Sequence, residues 1–342
     1  MSDRIRVLIV DDSILFRSFM MKELGAYSDV EVVGVATDSN EARRKILELK
    51  PDVVTLDVEM PGMNGIDFLK TFLPVHKVPV IVVTSTPVFA FEALSAGAVD
   101  FVKKPLIKTP DDAKAFVKKL VNNIRVSRSA KVRTVTERTE LYRNSSSIST
   151  ISSCRAGTVI ALGASTGGTD ALLEVVKNFP ANTPPVVIVQ HMPANFTKMY
   201  AERLDACCPM NVKEAEDGDR LTRGQVILAA GEFHLTLEKD SRGYYVKSQR
   251  GNKVSGHCPS VDVLFESVAR TAGKDAIGAI LTGMGADGAE GLLKMKMAGA
   301  YTIGQDEETC VVYGMPGVAY KKGAVMKQLP LNKIAGEILS KV

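Results

Sequence analysis

Three residues in the C-terminal half have the types needed for acyl transfer. Ser165 lies in Gly163-Ala-Ser165-Thr-Gly167-Gly168, His191 follows Val186–Gln190, and Asp287 lies in Thr282-Gly-Met284-Gly-Ala-Asp287-Gly. A hydroxyl nucleophile, an imidazole base and a carboxylate that fixes the imidazole tautomer make a serine-hydrolase triad. The turn Gly283-Met284-Gly285 adds backbone amides that suit an oxyanion. In the N-terminal half, Asp11, Asp12 and Asp57 form a different set. Three carboxylates gathered together repel one another and call for a hard divalent cation such as Mg²⁺. A cation beside Asp57 would also hold a phosphoryl group in line for attack by that carboxylate. Thr84 and the lysine of Lys104-Pro105 offer a hydroxyl and an ammonium to the same group.

Each residue also has a plainer reading. Ser165 in a glycine-rich turn before a helix suits anion binding, although neither GxGxxG nor GxxxxGK[ST] is present. A histidine at a strand end is often structural. Asp287 among glycines at 283, 285 and 288 suits a turn or a helix cap, and Asp at a strand end often caps the following helix. Of the other histidines, His76 lies in the first half, His234 precedes the strand-like Leu235-Thr-Leu237, and His257 sits in the turn Gly256-His-Cys-Pro259. Asp262 and Asp306 fall within or before helical patterns.

The elements that must position these residues alternate in type. In the first half, strands are expected at Ile5–Val10, Glu31–Val35, Val53–Leu56, Val80–Val83 and Asp100–Val102. The last helix shows Ala113, Phe116, Val117, Leu120, Val121 and Ile124 at helical spacing behind Asp111-Asp112. In the second half, strands are expected at Thr158–Leu162, Val186–Gln190 and Ile277–Leu281. Leu172, Val175, Val176 and Phe179 line one helix, and Val261, Leu264, Phe265 and Val268 line another. Such alternation predicts two doubly wound parallel-sheet α/β domains. In them, sites lie beyond the carboxyl ends of the strands, where Ser165, His191, Asp287, Asp11, Asp12, Asp57, Thr84 and Lys104 fall. The strand–GASTG–helix junction fits a G-x-S-x-G elbow, but the chain order Ser, His, Asp differs from the α/β-hydrolase order.

At 342 residues the chain is long enough for two cores. Its 45% hydrophobic and 24% charged residues describe a globular protein. Apolar runs such as Val78–Val83 fall far short of the roughly 18–20 residues that span a bilayer. The N-terminus shows no apolar export segment, so a cytoplasmic location without membrane insertion is expected. Cysteines at 154, 207, 208, 258 and 310 form no CxxC pair and read as reduced packing residues. Residues 125–153, basic and serine-rich, read as a linker between domains at 1–124 and 154–342. A DNA-binding regulator, a nucleotide-binding domain and a catalytically idle scaffold compete as outputs for the second half. Its size and balanced charge weigh against the first, and the triad weighs against the last. No nucleic-acid partner is expected.

VLIVDDS, TLDVEMPGMNG, VIVVTS and GAVDFVKKP resemble the receiver domain of two-component response regulators. That resemblance implies a flavodoxin-like fold with Asp57 as phosphoacceptor. It implies Asp11, Asp12, Asp57 and the Glu59 backbone carbonyl around Mg²⁺, Thr84 and Lys104 as phosphate contacts, and Phe101 as a switch aromatic. GASTGGTDAL, VQHMP, CPSVDVLFESV, LTGMGADGAEGL and IGQDEETCVVYGMPGVA resemble the catalytic domain of the chemotaxis protein-glutamate methylesterase (CheB) family. This implies Ser165 as nucleophile, His191 as base, Asp287 as its orienting carboxylate, the Met284 amide in the oxyanion hole and Thr166 lining the site. It further implies chemoreceptor methyl esters and glutamines as substrates, with no cofactor for the esterase step. The chemotaxis histidine kinase CheA would be the phosphodonor, the unphosphorylated receiver would cover the site, and a monomer is expected. Ala229-Ala230-Gly231 departs from the Ala-Pro-Gly usual in relatives.

Overall fold

The computed structural model describes residues 4–60, 65–142 and 157–342, and the chain divides into two compact units at Thr139/Glu140. In the first unit the order is β1 (Ile5–Val10), α1 (Ile14–Gly25), β2 (Val30–Ala36), α2 (Ser39–Leu49), β3 (Val53–Leu56) and α3 (Gly65–Phe72). β4 (Val80–Thr84), α4 (Pro87–Ala96), β5 (Asp100–Lys103), α5 (Pro110–Ser127) and α6 (Val135–Tyr142) follow. The sheet is parallel with order β2-β1-β3-β4-β5. Because the order reverses beside β1, the ends of β1 and β3 lie together, with Val10 in register with Leu56. α5 buries Phe116, Val117, Leu120, Val121 and Ile124 against this sheet, as their spacing predicts. Ala113 stays half-exposed.

The region expected to be a linker carries structure where it is described. α5 runs to Ser127, and α6 follows within that region. Thr134 and Glu137 form a reciprocal cap at the start of α6, each backbone N–H held by the other's side chain. Lys77 bonds Glu137, and Arg138 Nη1 donates to the Leu94 carbonyl, so the start of α6 belongs to the first unit. Residues 143–153 lie outside the described residues.

The second unit begins with β6 (Val159–Ala164), α7 (Gly168–Val176), β7 (Val186–Gln190), α8 (Phe196–Cys207), β8 (Asn211–Glu214) and β9 (Gln225–Leu228). β10 (Phe233–Asp240), β11 (Gly243–Arg250), α9 (Val261–Thr271), β12 (Ala276–Ile280) and α10 (Ala289–Met297) come next. β13 (Tyr301–Gln305), α11 (Met315–Lys321), β14 (Lys327–Leu329) and α12 (Leu331–Leu339) complete it. Seven parallel strands run in the order β14-β13-β12-β6-β7-β9-β8. β10 and β11 form a separate antiparallel hairpin. His234 therefore lies inside a strand rather than ahead of one. β6 and β7 are buried along their whole length, as strands covered on both faces must be. α9 lays Val261, Leu264, Phe265 and Val268 into the core with no exposed surface, each contributing about 1.5–3 kcal/mol by burial. Of the described cysteines only Cys310 is buried; Cys207 is exposed and does not serve packing.

Candidate active site and phosphoacceptor pocket

β6 ends at Ala164, and Ser165 starts the turn into α7. The Ser165 amide donates to the Thr282 carbonyl at 3.0 Å, and its carbonyl accepts from Gly168 N (2.7 Å) and Gln190 Nε2 (2.8 Å). Gly167, at φ 76°, makes this tight turn in a conformation that side chains resist. β7 pairs with β6 so that Ala164 faces Gln190, and the His191 amide donates to the Ala164 carbonyl at 3.2 Å. Ser165 and His191 are thus neighbours at adjacent strand ends, where parallel strands lie about 4.8 Å apart.

His191 Nε2 bonds Asp287 Oδ2 at 2.7 Å, with both side chains nearly inaccessible. Asp287 accepts three further bonds, from Ser260 Oγ (2.7 Å), Val261 N (2.8 Å) and Asp262 N (3.0 Å). The carboxylate therefore sits on the N-terminus of α9, where amides and helix dipole both favour negative charge. Burial alone would raise the Asp287 carboxyl, but the bonds from His191, Ser260 and Asp262 outweigh it and hold it at about 2. An ionised Asp287 can only accept, so the bond places a proton on His191 Nε2, and in the neutral imidazole the lone pair then lies on Nδ1. Nδ1 is buried without a hydrogen-bond partner among the described residues, which leaves it available to take a proton.

The Gly283-Met284-Gly285 turn presses against the serine. A Cβ at Gly283 would lie 2.8 Å from Ser165 Cβ and 3.0 Å from Ser165 N, so only glycine brings this backbone so near. The Gly283 carbonyl accepts from Gly314 N (3.1 Å) and Met315 N (2.8 Å), which fixes the turn from behind. Thr166 is buried, and its carbonyl takes a bond from Thr282 Oγ1 at 3.0 Å.

Several residues that hold this site escaped sequence reading. Thr282 Oγ1 also accepts from Val311 N and Val312 N, tying three loops together. Ser260 and Asp262 support Asp287; the Asp262 carboxylate accepts from Gly291 N at 2.7 Å. Burial and the neighbouring Asp287 charge push the Asp262 carboxyl up to about 6. His257 stacks on His191, ring centroids 3.7 Å apart and planes within 3°. The signal available for Ser260 was its place before a helical pattern; for His257 there was none beyond residue type.

In the first unit, Asp11 and Asp57 are buried, Asp12 is exposed, and the three carboxylates have oxygens within 4.8 Å of one another. Lys104 Nζ reaches both Asp11 Oδ2 (2.7 Å) and Asp57 Oδ2 (2.6 Å), and Ser13 N donates to Asp11 Oδ1 at 2.9 Å. Burial raises the Asp11 carboxyl above its ordinary range, and Asp57 adds to this, because one lysine cannot neutralise two carboxylates. Burial pulls the Lys104 ammonium down, but its two carboxylate partners outweigh that and hold it up. Three carboxylates face one ammonium, so the pocket is short of positive charge, and a divalent cation fits that need.

Glu59 N donates to Asp57 Oδ1 at 2.8 Å. The Glu59 carboxylate takes bonds from Thr84 Oγ1 (3.0 Å), Ser85 Oγ (3.1 Å) and Thr86 Oγ1 (2.9 Å). Burial would raise that carboxyl, but these hydroxyls outweigh it and keep it low. The Thr84 hydroxyl, expected on phosphate, is here engaged by Glu59. Phe101 is buried edge-on to Phe91, centroids 6.5 Å apart.

The CheB methylesterase family model matches residues 160–338, and the response regulator receiver domain model matches residues 7–118. The protein-glutamate methylesterase/protein-glutamine glutaminase 2 of Syntrophomonas wolfei is 50% identical over 339 residues, covering 99% of this chain and 98% of that protein. The chain belongs to the CheB methylesterase family. A second relative, the protein-glutamate methylesterase/protein-glutamine glutaminase of Agrobacterium fabrum, is 49% identical over 99% of this chain and 97% of its own length. The crystal structure of the Thermotoga maritima CheB methylesterase catalytic domain covers 55% of this chain and all of its own, at 39% identity and a TM-score of 0.54. The two-domain CheB architecture, receiver followed by esterase, accounts for both the acidic pocket and the serine site.

Proposed function

We propose that this CheB-family chain is a protein-glutamate methylesterase and protein-glutamine glutaminase whose hydrolase unit is switched by phosphorylation of Asp57. The observation that carries the reading is the convergence of Ser165, His191 and Asp287 at one sheet edge, with Asp287 bonded to His191 at 2.7 Å. His191 Nδ1 takes the Ser165 proton as Oγ attacks the γ-carbonyl of a glutamyl methyl ester. The oxyanion rests on the amides around Met284, with Thr166 beside it. The imidazolium, stabilised by Asp287, returns the proton to the departing methoxide, and methanol leaves an acyl-serine. Water then attacks, His191 takes its proton, and glutamate is released with Ser165 restored. With a glutamine substrate the same steps expel ammonia.

In the receiver, Asp11, Asp12, Asp57 and the Glu59 backbone carbonyl would hold Mg²⁺. The ion would offset charge on the phosphoryl oxygens. Asp57 is the acceptor, and Lys104 exchanges a carboxylate for the new phosphoryl group. Thr84 must release Glu59 to contact that group, which couples phosphorylation to the β4–α4 loop, and Phe101 follows this movement. The substrates are cytoplasmic segments of chemoreceptors and the phosphodonor is the chemotaxis histidine kinase CheA. The protein acts in the cytoplasm; among the described residues no helix is long and apolar enough to cross a membrane.

The test is methanol and ammonia release from methylated and amidated receptor fragments, with and without a small-molecule phosphodonor and Mg²⁺. Release should require Ser165 and rise with phosphodonor. A Ser165→Ala variant as active as the parent would remove the serine mechanism.

A further inference from the structure

His257 lies in the 251–260 loop between β11 and α9 and takes no part in the bond-making just described. Resting on the methylesterase reading, we propose that His257 is a positioning residue that holds the His191 imidazole in its reactive orientation by stacking on its face. The carboxylate fixes only Nε2 of His191. Rotation of the ring about its bond to Cβ is a soft torsion, and among the described residues Nδ1 has no hydrogen-bond partner to stop it. A parallel ring at 3.7 Å does stop it, because any tilt drives one ring edge into the other.

The loop that carries His257 is itself tied down. Val254 and His257 exchange backbone hydrogen bonds of 3.0 and 2.9 Å. His234 spans the loop base: its Nδ1 accepts from Ser260 N at 3.3 Å, and its Nε2 bonds the Asn252 carbonyl at 2.8 Å. The same loop ends at Ser260, whose hydroxyl bonds Asp287. One segment thus supports both partners of the catalytic hydrogen bond, Asp287 through Ser260 and His191 through His257. A ring that drifts from line loses proton transfer steeply, since misplacement of a catalytic group by about 1 Å costs on the order of a hundredfold.

Full-length wild type, His257→Leu and His257→Phe would be compared for kcat and KM in methanol release, for thermal melting, and for the ¹H–¹³C signal of His191 Cε1. His257→Leu should lower kcat about 10- to 100-fold while KM and melting hold. His257→Phe, which keeps a flat ring but no nitrogen, should restore most of kcat. The His191 signal should lose its ring-current displacement and broaden in the leucine variant, and stay displaced and sharp in the phenylalanine variant. Wild-type kcat and an unmoved His191 signal in His257→Leu would overturn the proposal. So would an increase in KM alone in both variants, which would make His257 a substrate-binding group. If wild type released no methanol, the methylesterase reading would fail, and the His191 signals would still decide the positioning role.

Discussion

The chemistry at residue scale depends on how Asp287 is satisfied. Four donors converge on its two oxygens, so its charge is fixed in place rather than merely close to His191. Asp287→Asn would turn an amide nitrogen toward amide donors and present His191 with the wrong tautomer. We expect kcat to fall by about 10⁴ with a lowered melting temperature; an asparagine variant within tenfold of the parent would contradict this role for the carboxylate. Asp262 makes a pH prediction. Its folded pKa of about 6 exceeds the unfolded value, so the folded state binds the proton more tightly. Its contribution to stability is therefore full at low pH and is lost as pH rises from about 4 to 6, by about 3 kcal/mol. Asp262→Asn still accepts from Gly291 N but cannot ionise, so urea unfolding should show a flatter dependence of stability on pH across that window. An unchanged slope would count against the buried carboxyl. The strand-end placement of Ser165, His191 and Asp287 was legible because each follows a buried strand and two stand among glycines. Ser260, Asp262 and His257 were not, because their roles arise only when α9 and its preceding loop fold back onto the ends of β7 and β12.

Elements do their positioning through backbone contacts that allow no added atom. Gly231, after β9, is one: a Cβ there would meet Ala194 N at 2.3 Å and Ala194 Cα at 2.6 Å. These are main-chain atoms of the segment that leaves His191, so they cannot swing aside. Gly231→Ala should destabilise the unit by about 1–3 kcal/mol and reduce turnover by displacing the segment after His191, checked by chemical denaturation and methanol release. A variant with parental stability and activity would show that this contact is not limiting. The adjacent Ala230 leaves the close approach at Gly231 intact. At this scale, β-branched runs such as Val186–Gln190 revealed the central strands, and the stripe from Val261 to Val268 revealed α9. Helix α6 stayed hidden because two turns are too short to establish a period, and what holds its start is a Thr134–Glu137 cap and contacts to Lys77 and Leu94 distant in sequence.

Across the whole molecule, two parallel-sheet units each place their candidate reactive groups beyond the carboxyl ends of their strands. Both folds were legible in the sequence because strand–helix alternation runs through each half. The boundary was less so: the chain divides at Thr139/Glu140, where basic and serine-rich composition points to a linker beginning at residue 125. In the proposed switch, phosphorylation of Asp57 would raise hydrolase activity by a population shift. Asp57→Asn should keep basal methanol release and lose the rise with phosphodonor and Mg²⁺. An asparagine variant still stimulated by phosphodonor would place the switch elsewhere.

The central claim is that Ser165 forms a covalent acyl intermediate. Acid quench of the phosphodonor-treated protein during turnover of a methylated receptor peptide, followed by digestion and mass spectrometry, tests it directly. The account predicts a peptide-glutamyl adduct on the fragment containing Ser165, absent from Ser165→Ala. Continued methanol release by Ser165→Ala, or an adduct on a different residue, would contradict it.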